Sequence, residues 1–217
     1  MHAKMVAGMA RWGSAGARWT RRASTLSPGA AGVRACLLAI LGQHKAFLQG
    51  LDDDVYTFVS PLLQGSVGQH TRHSLDHLRK PLELSRALNA GSGSADVAGD
   101  AALLQFDLRQ RNTPVEQHRD VAIEQIEQLI EDARAIDPSK VGRRTEAAFM
   151  LSASGEQFAF DSTLSRELAF AVHHCIHHNA LSKVLLRHHF PHVAVPPDFG
   201  MAPSTANYNL THPQSEA

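Results

Sequence analysis

The amino-acid sequence predicts an all-α protein: a four-helix bundle with a small β-hairpin or extended excursion before the last helix. Three observations lead to this prediction. Apolar residues recur at three- and four-residue steps in long segments, which is the pattern of amphipathic helices. Serine, threonine and proline stand where such helices are expected to begin. Long polar connections separate the segments, and helices of this length pack as bundles.

Length and composition are those of one globular domain with extensions. The chain has 217 residues, of which 43% are hydrophobic and 19% are charged, and its formal net charge is zero. Nucleic-acid binders are usually basic, so we expect no nucleic-acid partner. No apolar run reaches about 18 residues, so we expect no membrane span. Two cysteines, Cys36 and Cys175, are too few for a disulfide framework.

The first 31 residues are rich in arginine, alanine, glycine and serine, and no acidic residue precedes Asp52. This composition is typical of an organellar transit peptide, mitochondrial or chloroplast, and it also fits a disordered start of a cytoplasmic protein. Either way the segment is left outside the fold. We therefore predict a bundle domain over residues 32–210, a hinge at 29–32 and a disordered tail at 211–217.

The first two helices are predicted over residues 33–51 and from Ser66 onward. Ser66 and Gln69 form a capping box, in which each side chain satisfies a free backbone donor of the first turn. The first helix carries a single histidine, His44, which we interpret as a core or surface residue. The second helix carries three histidines along one side, in addition to an apolar side: His70, His73 and His77.

The third helix is predicted from Thr113 to Ile136, where a second capping box and Pro114 precede a continuous apolar stripe. The hairpin is predicted from two short apolar stretches, 145–151 and 156–160, that flank a serine-rich turn. The fourth helix begins after the N-cap candidates Asp161-Ser162-Thr163 and ends before Pro191. The proline-rich tail at 195–208 is expected to lie over the surface.

Four histidines occur within six residues of the fourth helix: His173, His174, His177 and His178. Residues four apart share a helix face, so two facing pairs are available. The stripe of His174 and His178 is otherwise apolar and is predicted to face the interior, whereas the stripe of His173 and His177 is the alternative inward face. Cys175 points away from His174 and is interpreted as a small core residue.

Neutral imidazole is the commonest metal ligand among side chains. An i, i+4 pair on the fourth helix and one histidine of the second helix would give three ligands, a set that suits zinc, nickel or iron(II). Three protein ligands leave coordination positions open, as in catalytic sites. Bound water would then have a lowered pKa, and a bound thiol would be held as thiolate.

The chain resembles the DinB/YfiT-like family over about residues 33–208. The shared features are Ser66-Val67, a histidine six residues later at His73, and the His-x-x-x-His of His174 and His178. Three further stretches look like one branch of that family: QHTRHSLDH (69–77), RQRNTPVE (109–116) and PDFGMAPST (197–205). The resemblance implies a metal-binding four-helix bundle.

By position, the resemblance implies the ligands His73, His174 and His178. Periodicity places His70 nearer the apolar side of its helix, so His70 stays the alternate to His73. His77 and Asp76 are candidates for holding a ligand from behind. Relatives include thiol-dependent S-transferases and a domain of sulfoxide synthases. The resemblance therefore implies a metal-dependent hydrolase or thiol S-transferase with a small-molecule substrate, a thiol among the candidates.

A second hypothesis is a non-catalytic protein in which the histidines bind metal for storage or stability, or form a polar core. The bundle would then act as a dimerising or partner-binding module, and a homodimer is one assembly that this hypothesis allows. A haem-binding bundle is disfavoured, because two histidines four apart on one helix do not readily ligate opposite faces of one iron.

Overall fold

The computed structural model describes residues 29–90 and 101–212. Seven helices and three strands form within these ranges. In chain order they are α1 (Gly29–Gln49), α2 (Asp53–Thr57), α3 (Val67–Ala90), β1 (Ala102–Gln105), α4 (Pro114–Gln117), α5 (Arg119–Arg134), β2 (Arg144–Met150), β3 (Gln157–Thr163), α6 (Leu164–His189) and α7 (Pro203–Thr211).

The prediction of an all-α four-helix bundle is wrong, because a three-stranded mixed sheet in the order β1-β2-β3 packs beside the helices. Strands β2 and β3 form the expected hairpin, with Arg144 opposite Thr163. Strand β1 completes the sheet by pairing parallel to β2, with Ala102 opposite Thr145. A four-residue strand whose partner lies some forty residues further along the chain has no local signal of its own.

The four long helices build the main core. Helix α3 packs against α5 and α6, and α1 packs against the same two helices. Their apolar stripes meet there, as the three- and four-residue periodicity predicts. Fully buried residues from all four helices fill the interior: Leu37, Leu41, Leu75, Leu78, Ile126 and Leu168. A smaller cluster under the sheet holds Leu104, Phe106 and Ala147.

One of the two predicted capping boxes forms. The Ser66 nitrogen donates to Oε1 of Gln69, and the Gln69 nitrogen donates to Oγ of Ser66, each at 3.1 Å. The prediction of the second capping box is wrong, because the Thr113 side chain makes no capping hydrogen bond to α4. Glu116 is instead buried and accepts from Arg72 Nε and the Asn112 nitrogen, both at 2.9 Å.

The third predicted helix is broken in two. His118 takes an extended conformation (φ −124°, ψ 107°) between α4 and α5. The break lets α4 lie against the start of α3. The Tyr56 hydroxyl of α2 also donates to the carbonyl of Val115 in α4 at 2.6 Å. The approach is so close that a Cβ on Gly68 would overlap the carbonyl oxygen of Glu116.

The segment 195–208, predicted to lie over the surface, instead packs closely against α6 and buries one aromatic side chain. Phe199 is fully buried and stacks on Phe47, with ring centroids 3.9 Å apart. Next to it, Gly200 has φ +68°, and a Cβ there would lie 2.5 Å from the backbone nitrogen of Ala180. Only glycine fits this conformation and this space. Helix α7, which follows, buries no residue.

The hinge predicted at residues 29–32 is helical, since these residues open α1. The first helix also ends earlier than predicted, at Gln49. The predictions for residues 1–28 and 213–217 lie outside the described residues. Among the described helices, none has the length and apolar content needed to cross a membrane.

Candidate metal centre

Helices α3 and α6 bring the predicted histidines together. Thr163 begins α6 as its N-cap, accepting from the Arg166 nitrogen at 3.3 Å. Ser66 begins α3 in the same way, so the starting point of each helix is set by a side-chain cap. The two helices pack side by side, and His73 Nε2 lies 2.9 Å from His174 Nε2 across their interface.

Three histidines form a compact group of nitrogen donors. One ring nitrogen each from His73, His174 and His178 lies within 4.8 Å of the others. All three side chains are half-buried. The stripe of His174 and His178 continues to Ala171 and Leu185, which are fully buried, so it faces the interior as predicted.

Two further histidines support this group from behind. His70 Nδ1 lies 3.0 Å from His178 Nδ1, and one of the two donates to the other. His77 stacks on His174, with ring centroids 3.8 Å apart and planes inclined by 27°. The structure thus places His70 and His77 against the group and His73 within it. Which of His70 and His73 would bind a metal stays a prediction.

The rings are held in the neutral state that binds metals. Burial, together with the positive charge of neighbouring groups, lowers the pKa of His174 to about 4 and that of His178 to about 3. The same causes lower the pKa of His73 further and bring that of His77 to about 3. At neutral pH each ring is therefore uncharged and has one nitrogen with a free lone pair.

The donor set fits a divalent ion that prefers imidazole. Zinc bound at about 2.0–2.1 Å in tetrahedral geometry separates its ligand nitrogens by about 3.3 Å. The distance of 2.9 Å between His73 Nε2 and His174 Nε2 is a few tenths of an ångström shorter. Small side-chain rotations would lengthen it to the distance that zinc requires. His73 Nδ1 is buried and makes no hydrogen bond to the described residues.

Other candidate residues lie elsewhere. His173 and His177 are exposed, and the ring centroid of His177 lies 5.1 Å from that of His178. Asp76 forms ion pairs with Arg72 and Arg79 rather than with a histidine. His44 is buried in the core and hydrogen-bonds to Thr71 at 3.1 Å. Cys175 is also buried, and burial raises the pKa of its thiol to about 12. The interpretation of Cys175 as a core residue is confirmed.

Sequence reasoning missed the aromatic and cationic residues beside the histidines, which come from α6 and from the segment after β1. The Phe106 ring stacks on His77 at a centroid distance of 5.0 Å, and the Phe170 ring of α6 lies 5.8 Å from that of His174. The Arg109 guanidinium contributes positive charge that lowers the pKa of His73 and of His174. Its Nε is buried and has no hydrogen-bond partner among the described residues.

The sequence has limited similarity to known proteins. No family model matches the chain. A similar protein is FK506-binding protein 5 of Rhizopus delemar, which is 34% identical over 110 residues. The similar region covers 49% of this chain and 27% of that protein, so the chain spans about a quarter of the length of this relative. The resemblance to the DinB/YfiT-like family stays a prediction.

Proposed function

We propose that the chain is a divalent-metal-dependent enzyme, a hydrolase or a thiol S-transferase, with His73, His174 and His178 as metal ligands. The observation that carries the proposal is the group of three ring nitrogens within 4.8 Å of one another. The ligands come from two helices, and His73 and His174 are 101 positions apart in the chain. Neutral rings at these positions favour binding of zinc, nickel or iron(II).

The number of ligands favours a catalytic centre over a structural one. Within the described ranges, the group contains three side chains and no cysteine, aspartate or glutamate. Structural zinc sites use four protein ligands, whereas catalytic sites use three and leave a position for water or substrate. A bound metal would supply Lewis acidity there, lowering the pKa of a water or thiol.

The surrounding residues would serve substrate binding and ligand orientation. His70 holds the ring of His178 through Nδ1, and His77 packs flat against His174. Arg109 adds a fixed positive charge next to the group, and its Nε is available to a hydrogen-bond acceptor. These features favour a substrate with an anionic group, such as a carboxylate or a thiolate.

The second candidate is a non-catalytic helical protein in which the same histidines form a polar core or a storage site. One observation favours it: His73 and His174 already satisfy one another by a hydrogen bond of 2.9 Å. Such a pair stabilises a buried polar cluster without any ion.

Metal content decides between these readings. The full chain, purified without a His-tag, is analysed by inductively coupled plasma mass spectrometry together with His73→Ala, His174→Ala and the exposed control His173→Ala. We expect about one metal per chain, retained by the control and lost by the other two variants. Metal with turnover of thiol-transfer or hydrolysis substrates supports the enzyme, and metal without turnover supports storage. Absence of metal after reconstitution overturns the proposal.

A further inference from the structure

A second cleft, of about 650 Å³, opens between the hairpin and the first turns of α6. None of the histidines lines it. Its apolar wall is made by Ala147, Phe149 and Phe160, with the two phenylalanine rings 6.4 Å apart. Glu167 lines the cleft from α6, two turns before His174.

Glu167 is the unusual residue of this cleft, because its exposed fraction is 0%. Its Oε1 accepts from Ser162 Oγ at 2.5 Å and from Arg166 Nη1 at 2.7 Å. Its Oε2 is equally buried and has no hydrogen-bond partner among the described residues. A buried carboxylate oxygen without a donor costs free energy, so this position is suited to a donor supplied from outside.

The charges around the cleft indicate whether that donor group is cationic, neutral or anionic. Arg144 pairs with Asp161 at 3.4 Å, and Arg166 pairs with Glu167. The charged residues of the lining thus cancel in pairs, and Oε2 is the acceptor that remains. The faces of Phe149 and Phe160 attract cations as well. A carboxylate or phosphate would meet an acceptor, whereas an ammonium group would donate to it.

We propose that this cleft binds a primary amine with an apolar body. The ammonium donates to Oε2 of Glu167, and the apolar part lies against Phe149 and Phe160. Arg166, whose side chain is 60% exposed, keeps its bond to Oε1, so the amine and Arg166 would each hold one oxygen of Glu167. The site is separate from the metal centre and does not depend on the function proposed for that centre.

The probe for this proposal is 2-phenylethylamine, which is a cation at neutral pH and has one aromatic ring. It is titrated into the isotopically labelled full chain, and backbone amide shifts are followed by NMR. We expect saturable shifts at Phe160, Ser162 and Glu167. The anion 3-phenylpropionate has the same ring and the opposite charge, and we expect no saturable shift with it at these residues.

Glu167→Gln is the diagnostic variant, because it keeps the shape of the side chain and replaces one acceptor oxygen by a donor. We expect at least about tenfold weaker amine binding, with the metal content unchanged. The exposed control Glu124→Gln should bind the amine like the original chain. His73→Ala should do the same, which separates this site from amine binding at a metal.

A second variant keeps the proposal testable should Glu167→Gln not fold. Phe160 is 49% exposed, so Phe160→Ala leaves the core intact, and it should weaken amine binding several-fold. Equal binding of the amine by both variants and by the original chain would overturn the proposal. Equal binding of 3-phenylpropionate, or no saturable shift with the amine, would overturn it too.

Discussion

His70 and His178 meet through their Nδ1 atoms, 3.0 Å apart, across the interface of α3 and α6. The contact engages Nδ1 of His178, which leaves Nε2 as the nitrogen that can bind a metal. Partners of this kind fix the orientation of a ligand ring, and their loss typically weakens metal binding ten- to a hundredfold.

We therefore expect His70→Ala to weaken zinc binding by about ten- to a hundredfold while leaving a stoichiometry of about one. Competition with a zinc chelator of known affinity measures the change. The control is His173→Ala, whose side chain is exposed. Complete loss of zinc in His70→Ala would make His70 a ligand itself, in place of His73.

The buried His44 makes the free energy of unfolding depend on pH. Burial lowers its pKa from 6.5 to about 4. The unfolded chain therefore binds more protons than the folded chain between pH 6.5 and 4, and stability falls as the pH is lowered through this window. For one such residue the loss between pH 7 and pH 5 is about 2 kcal/mol.

The variant His44→Gln keeps a polar group near Thr71 and removes the titration. We expect the difference in unfolding free energy between pH 7 and pH 5 to shrink by about 2 kcal/mol. Urea unfolding at the two pH values measures it, with the exposed His192→Gln as control. An unchanged difference in His44→Gln would show that His44 does not contribute.

The buried pair of Arg72 and Glu116 ties α4 to α3, with Nε 2.9 Å from Oε1. Glu116→Ala leaves Arg72 Nε and the Asn112 nitrogen without their acceptor, although Asp76 still pairs with Arg72. We therefore expect Glu116→Ala to lower the unfolding free energy by about 2 kcal/mol or more. The matched control is Glu131→Ala, which breaks an exposed pair with Arg134 and should cost less than about 1 kcal/mol. Similar losses in the two variants would contradict this.

Two glycines in helices should respond in opposite directions to alanine. A Cβ at Gly68 would overlap the carbonyl oxygen of Glu116, so Gly68→Ala should cost about 2 kcal/mol by forcing α4 away from α3. A Cβ at Gly42 meets nothing within 4 Å, so Gly42→Ala should stabilise by about 1 kcal/mol through helix propensity. Thermal unfolding of both variants checks this. Stabilisation by Gly68→Ala would show that α4 is not held where we describe it.

The long helices could be predicted because their signals are local. The apolar period of α3 and the reciprocal bonds of Ser66 and Gln69 lie within a few turns of each other, and Thr163 caps α6 from the adjacent residue. The same reasoning failed for α5, where a continuous apolar stripe hides the extended conformation of His118. Burial of Glu116 against Arg72 overrode the capping box that the sequence pattern indicates.

The sheet could not be predicted in full for the opposite reason. Strand β1 is stabilised by β2, a segment distant in sequence, and four residues carry no period that distinguishes a strand from a loop. The buried Phe199 was missed likewise, since its partner Phe47 lies on α1. Within the candidate site, the grouping of the histidines could be predicted from their spacing on each helix. The positions of Arg109 and Phe106 could not, because they depend on where β1 lies.

The separation of His73 from His174 by 101 positions has a consequence for folding. Any ion held between them would act as a cross-link that closes a long loop, and closing a long loop removes more entropy from the unfolded chain than closing a short one. An ion that binds these histidines in the native state alone adds its binding free energy to the free energy of unfolding. If the site does hold an ion, a shortage of that ion would lower the stability of the protein as well as leave the site empty.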